Sequence, residues 1–147
     1  MKQSIVEKLV EAQKKKFLYP FAHALLAVFG VEIPRVVVLG KGIRFAHRAP
    51  GLVIHPNTRI GNNVYFYQGV SLGLAYPWKP LSEIHSGGYF IDVQDDVILC
   101  AGCKVLSKGK LVVGKGTIIG ANAVLTQSTG ENEIWAGIPA KLIGKRQ

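Results

Sequence analysis

Cysteine is scarce in this 147-residue chain, acidic side chains are half as many as basic ones, and no apolar run is long. The two cysteines, Cys100 and Cys103, form one C-x-x-C pair. One such pair supplies only two of the four ligands that a structural zinc site needs. The apolar stretch from Phe21 to Phe29 is far short of the roughly 20 residues that cross a bilayer. Lys2, Glu7 and Lys8 interrupt the opening residues, so no secretory leader reads there. The cytoplasm, with reduced thiols, is the expected compartment. Nine acidic against eighteen basic side chains leave a net charge of +9. That balance suits a polyanionic partner: a nucleic acid, a membrane surface or a phosphorylated cofactor. No helix-turn-helix, zinc-finger or RNA-recognition signature is present, so nucleic acid is not an expected partner.

Hydrophobic residues make up 48% of the chain and charged residues 18%, a globular balance for one domain. Ile5, Leu9 and Ala12 recur at helical spacing among Glu and Lys, predicting a helix from residue 2 to about 16. After Lys14-Lys15-Lys16 a second helix is expected from Pro20, a good first-turn residue, to Gly30. Packing on the domain or a neighbouring subunit is its expected role. The adjacent lysines also admit peripheral membrane contact, which would place the chain at the inner face of the membrane.

From Ile33 the pattern changes to a period of six. Large apolar anchors fall at Ile33, Leu39 and Phe45, then at Ile54, Ile60, Phe66 and Leu72. They resume at Val93, Leu99 and Val105, and again at Val113, Ile119 and Leu125. The fourth residue beyond an anchor is small or β-branched in most hexads: Val37, Ala49, Thr58, Val64, Val70, Val97, Cys103, Thr117 and Ala123, with Ile43 the largest and Gly109 the poorest match. Strands alternate with period two and helices with 3.6. A period of six describes a solenoid with three short sides per coil, in which each coil buries its anchors by stacking on the next. Cys103 thereby falls on an inward position and is expected to pack in the core.

Breaks in the period divide the chain. A helical segment is expected over 1–30 and a β-helix over 31–128, followed by a tail over 129–147. Within the coil, 46–53 and 107–110 are small breaks. Residues 73–89, with Pro77, Pro80, Gly87 and Gly88, form a long excursion of the kind that carries function.

Several motifs resemble the hexapeptide-repeat acyltransferases, and the serine acetyltransferase branch in particular, including short relatives that acetylate polysaccharide sugars. They are Phe45-Ala46-His47, Tyr67-Gln68-Gly69-Val70-Ser71-Leu72-Gly73, Leu99 to Val105, Ile119 to Val124, and Ala136-Gly137-Ile138-Pro139-Ala140-Lys141. The resemblance covers roughly residues 30–144. It implies a mainly β fold, a left-handed parallel β-helix preceded by short α-helices. It also implies a homotrimer, active sites between subunits, and acetyl-CoA lying along the coil with no metal required.

Acetyl transfer to a hydroxyl needs a base, and histidine titrates near working pH. Of His23, His47, His55 and His85, His47 matches the family's catalytic base. Ala46, Gln68 and His85 are the expected acceptor-side residues. His85 lies in the excursion, while Phe90 or Ile91 occupies the place of the family's second active-site histidine. Gly73, Ala101 and Ala121 match positions along which the pantetheine arm lies, and Lys141 matches a lysine that meets a CoA phosphate. His55 is expected to serve the coil and His23 to satisfy a local hydrogen bond. Ala46 stands where the family often has the aspartate that helps hold serine. With the short N-terminus, this turns the expectation toward a sugar hydroxyl on a surface-polysaccharide precursor. The alternatives are L-serine O-acetylation and a non-catalytic β-helix scaffold. A zinc enzyme of the γ-carbonic anhydrase type is disfavoured, because His47, His55 and His85 lack its spacing.

Overall fold

The computed structural model describes residues 3–84 and 87–147, with the side chains of Leu81 and Ile84 left out. The chain opens with α1 (Ile5–Gln13) and α2 (Tyr19–Val28). Ser4 accepts from the Glu7 N–H while Glu7 accepts from the Ser4 N–H, a reciprocal cap that fixes the start of α1. Pro20 sits in the first turn of α2, where its missing N–H costs nothing. Val6 and Val10 of α1 and Ala22 and Leu26 of α2 are buried. Both helices are shorter than their sequence patterns, and the three lysines lie between them rather than inside the first.

The rest is a coil of short strands: β1 (Val38–Leu39), β2 (Arg44–Phe45), β3 (Val53–Ile54), β4 (Thr58–Ile60), β5 (Tyr65–Phe66), β6 (Ser71–Leu74), β7 (Ile91–Val93), β8 (Ile98–Leu99), β9 (Lys104–Ser107), β10 (Leu111–Val113), β11 (Ile118–Ile119), β12 (Val124–Leu125), β13 (Glu133–Gly137) and β14 (Ala140–Lys145). A one-turn helix, α3 (Leu81–Ile84), lies in the excursion. Three sheets form, ordered β1-β4-β7-β10, β2-β5-β8-β11-β13-β14 and β3-β6-β9-β12. Every pairing is parallel except β13 with β14. This is a parallel β-helix of triangular section.

Register counts the residues in each coil. Val53 pairs with Ser71, 18 residues on, which is three hexads. Arg44 pairs with Tyr65, a step of 21, so the break at 46–53 adds three residues. Lys104 pairs with Val124, a step of 20, and Ser71 with Lys104, a step of 33 that holds the excursion. The anchors fill the core: Ile54, Ile60, Phe66, Leu72, Val93, Leu99, Val105, Val113, Ile119 and Leu125 are all buried. Thr58, Val64, Val70, Val97, Cys103, Thr117 and Ala123 are buried beside them. Each anchor contributes about 1.5–3 kcal/mol by leaving water, and only once its neighbouring coil is stacked.

The corners depend on left-handed backbone. One corner carries the column Gly42, Asn63, Asp96, Gly116 and Asn132, and another carries Gly51, Gly69, Gly102 and Asn122, all at positive φ. Gly, Asn and Asp tolerate that conformation best. Consecutive members are tied by backbone bonds one coil apart, such as Gly116 N–H to Asp95 O at 2.9 Å and Gly102 N–H to Gln68 O at 2.8 Å.

The C-terminal segment departs from the expectation of a tail leaving after Ser128. Ile134 pairs with Ile118, so β13 adds one more strand to the second sheet, and β14 folds back on it. Trp135 is buried there, with its indole N–H on Glu133 Oε2 at 2.8 Å.

Candidate active site

His47 stands on the three-residue insertion of the first full coil. The local cause is a 3-10 turn over Ala46–Arg48, closed by Ala49 N–H on Ala46 O at 2.7 Å. His47, Arg48 and Ala49 all have positive φ, at 51°, 68° and 46°. Each such non-glycine residue costs about 1–2 kcal/mol relative to ordinary backbone, so the turn is held by its surroundings. Strained backbone of this kind clusters at functional sites. Gly51 N–H on Gly30 O and Gly69 N–H on Pro50 O pin the insertion from both sides, each at 2.8 Å.

The strand before the turn is fixed from α1. Glu7 is buried, and its Oε1 accepts from Arg44 Nε at 3.0 Å and from Phe45 N–H at 3.5 Å. Phe45 in turn stacks on Phe66, with ring centroids 5.8 Å apart. Ala46 is buried, while His47 points its imidazole outward and is exposed. The Tyr67 ring lies 6.5 Å from it at 56°, and Tyr65 lies 5.3 Å from Tyr67. Tyr67 follows anchor Phe66 in the sequence and carries no mark of this place. Nothing in its residue type distinguishes a ring beside His47 from one covering the sheet.

Other expected residues gather on the same corner. Gly102 N–H donates to Gln68 O and Asn122 N–H to Ala101 O, so Gln68, Ala101 and Ala121 occupy equivalent places on successive coils. Adjacent coils are about 4.8 Å apart, giving a ladder of one glutamine and two alanines that runs away from His47. Gln68 Oε1 is buried and has no donor among the described residues. Lys141 pairs with Ala136, and Gly120 N–H donates to Trp135 O, so Lys141 lies beside the far end of that ladder. Gly73 lies on the adjacent sheet, paired with Leu106. A Cβ there would meet only Leu106 Cδ2 at 3.9 Å, so the surface is open.

His85 lies outside the described residues. His55 sits at the third corner, edge-on to Phe90 at 5.3 Å, and its Nδ1 accepts the Asn57 N–H at 3.1 Å. Burial lowers its pKa, which fits its expected service to the coil. His23 differs from expectation: it stacks on Tyr19 at 5.1 Å, but its buried Nδ1 finds no partner among the described residues. Cys100 and Cys103 are free thiols. Burial pushes Cys103 up to about 12, so it is an inert core residue. Among the described residues no three His, Cys, Asp or Glu side chains come together to hold a metal.

The serine acetyltransferase of Haemophilus influenzae is 34% identical over 134 residues, which are 90% of this chain and 46% of that protein. A solved serine acetyltransferase from Brucella abortus in complex with coenzyme A superposes with a TM-score of 0.74 at 27% identity, covering 97% of this chain and 53% of that one. One from Neisseria gonorrhoeae in complex with serine gives a TM-score of 0.71 at 25% identity, covering 95% and 52%. The chain spans about half the length of the curated relatives it matches. No family profile matches it. The solved neighbours are left-handed β-helices, and the present coil superposes on them. In sequence and in fold the chain is similar to the serine acetyltransferase-like branch of the hexapeptide-repeat acyltransferases.

Proposed function

We propose that this chain transfers the acetyl group of acetyl-CoA to a hydroxyl, with His47 as general base. The observation that carries this reading is the place of His47. An exposed imidazole stands on a strained three-residue insertion, at the head of the corner shared by Gln68, Ala101 and Ala121. There the imidazole takes the proton of the acceptor hydroxyl as its oxygen attacks the thioester carbonyl. The new C–O bond forms, the C–S bond breaks, and the proton passes from His47 to the departing sulfur. Ala101, Ala121 and Gly73 leave room for the pantetheine arm, and Lys141 meets a CoA phosphate at the end of the ladder. Gln68, on the coil next to His47, belongs to the acceptor side of the site. The working form is a homotrimer with sites between subunits.

L-serine is the acceptor favoured by the comparisons, since the relatives are named serine acetyltransferases and one is solved with serine. The sugar hydroxyl expected from the sequence is the second reading. It rests on Ala46, which is buried and offers no carboxylate beside His47 where serine's ammonium would need one. Thiol release from acetyl-CoA, measured with L-serine and in parallel with nucleotide sugars and oligosaccharides, decides between them. Turnover with serine alone removes the sugar reading. Release with no acceptor of either class removes the transferase reading.

A further inference from the structure

The coil turns its apolar anchors inward, but α2 does not bury all of its own. Ala22 and Leu26 face the core, whereas Phe21, Leu25 and Val28 are 69%, 50% and 79% exposed. Spaced four and three apart, these three form one stripe along the helix. Phe17 and Leu18, just before α2, extend it at 83% and 37% exposure. The helix itself holds no charged residue.

Basic groups stand at both ends of this stripe. Lys14, Lys15 and Lys16 are exposed ahead of it, and Lys14 is paired with Glu11. The Arg35 guanidinium lies 5.6 Å over the Tyr19 ring at the start of α2, and that of Arg48 lies 5.9 Å from the Phe29 ring at its end. Residues 1–48 hold nine of the eighteen basic side chains but only Glu7, Glu11 and Glu32 of the nine acidic ones. Glu7 is buried against Arg44, which leaves Glu32 as the exposed acid of this region outside the ion pairs of the described residues.

We propose that this face docks on an anionic lipid surface. The α2 helix would lie in the interfacial plane, its stripe among the acyl chains and the flanking cations among the phosphates. An apolar face bordered by lysine and arginine is what such a surface recognises. A second copy of the chain is a poorer occupant. A ten-residue helix is about 15 Å long and 10 Å across, so one face offers a few hundred Å² at most, roughly, against about 800 Å² per partner in a stable interface. The proposal does not depend on the acetyl-transfer reading.

The test is cosedimentation of the full chain with phosphatidylcholine vesicles, with and without phosphatidylglycerol, at low and high salt. The unaltered chain is expected to pellet with the anionic vesicles and to bind the neutral ones far more weakly. Phe21→Asp with Val28→Asp should lower the partition about tenfold or more, since it replaces buried apolar groups by charge. Lys15→Gln with Lys16→Gln should lower it about fivefold per lysine and flatten the salt dependence. Circular dichroism and thiol release with a soluble acceptor should stay unchanged in both. Failure of the unaltered chain to pellet, or equal pelleting by the folded lysine variant, overturns the proposal. So does a stripe variant that changes the sedimentation mass of the assembly, because the stripe would then cover another copy.

Discussion

Two corners of the coil are built alike and differ at one place. The Gly42–Asn132 corner and the Gly51–Asn122 corner both turn through stacked left-handed residues, held by the same backbone bonds one coil apart. The first uses only Gly, Asn and Asp. The second adds His47, Arg48 and Ala49, residues with no intrinsic taste for that backbone. Regular corners therefore show what stacking alone requires, and the excess at 46–49 shows what has been added to it. That added backbone cost, carried by an exposed histidine, is the ground on which His47 is proposed as the general base.

The comparison breaks hardest at His47. His47→Ala is expected to lower kcat/KM for acetyl transfer by about 10²–10⁴-fold with the assembly and thermal midpoint intact. At the ordinary corner, Asn62→Ala removes an exposed side chain that bonds Lys41 N–H and Asp95, and the same assay should not register it. Near-normal turnover by His47→Ala would make the insertion structural.

The pin beneath the turn comes next. Glu7→Gln weakens the charged hydrogen bonds to Arg44 and Phe45, and should cost about 1.5–3 kcal/mol in urea unfolding. It should also lower kcat more than it raises KM, because the strand that carries His47 loosens. Equal kcat in a destabilised variant would uncouple α1 from the site. Smaller still are the glycines. A Cβ on Gly116 would collide with Asn132 Oδ1 and one on Gly102 with Asn122 Oδ1, each at positive φ. Both Gly→Ala changes should cost about 1–2 kcal/mol, but only Gly102→Ala should also raise the KM for acetyl-CoA. Equal KM values for the two variants would remove the cofactor from the His47 corner.

The interior was legible in the sequence because an anchor must meet one demand, volume inside a fixed triangle. Ile54, Ile60 and Phe66 therefore announced themselves by spacing alone. The corner glycines Gly42, Gly69 and Gly102 were not legible as such: the spacing points instead to the glycines just after the anchors, Gly40, Gly61, Gly114 and Gly120, which have no positive φ and sit where a Cβ would crowd the next coil. The strain at His47–Ala49 was not legible either, because Arg and Ala carry no sign of a left-handed conformation when the surroundings impose it. Strand β13 was missed for another reason. The step from Leu125 to Trp135 breaks the period of six, and β14 holds the segment from outside the repeat. His47 itself was found by motif resemblance. Tyr67, the ring beside it, and Glu7, which holds the preceding Arg44-Phe45, were not, since they come into place only through stacking of separate coils and packing of α1.

The third corner gives the smallest effect and sharpens the contrast from the other side. His55 is a histidine that the coil uses as a neutral group, half-buried against Phe90 with Nδ1 committed to the Asn57 N–H. Burial lowers its pKa from the ordinary 6.5. The unfolded chain therefore binds a proton at His55 before the folded chain does. The contribution of this residue to stability is complete above the unfolded value and is lost as pH falls toward the folded one. Urea unfolding between about pH 7.5 and about pH 5.5 should show a decline that His55→Leu makes shallower. The same substitution should leave acetyl transfer intact, whereas His47→Ala should lower transfer by about 10²–10⁴-fold. A histidine whose imidazole is already spent on the fold, and one held outward at a cost to the backbone, would then separate by two independent measurements. An unchanged slope in His55→Leu would assign the acid sensitivity elsewhere and leave His55 open to a part in the chemistry.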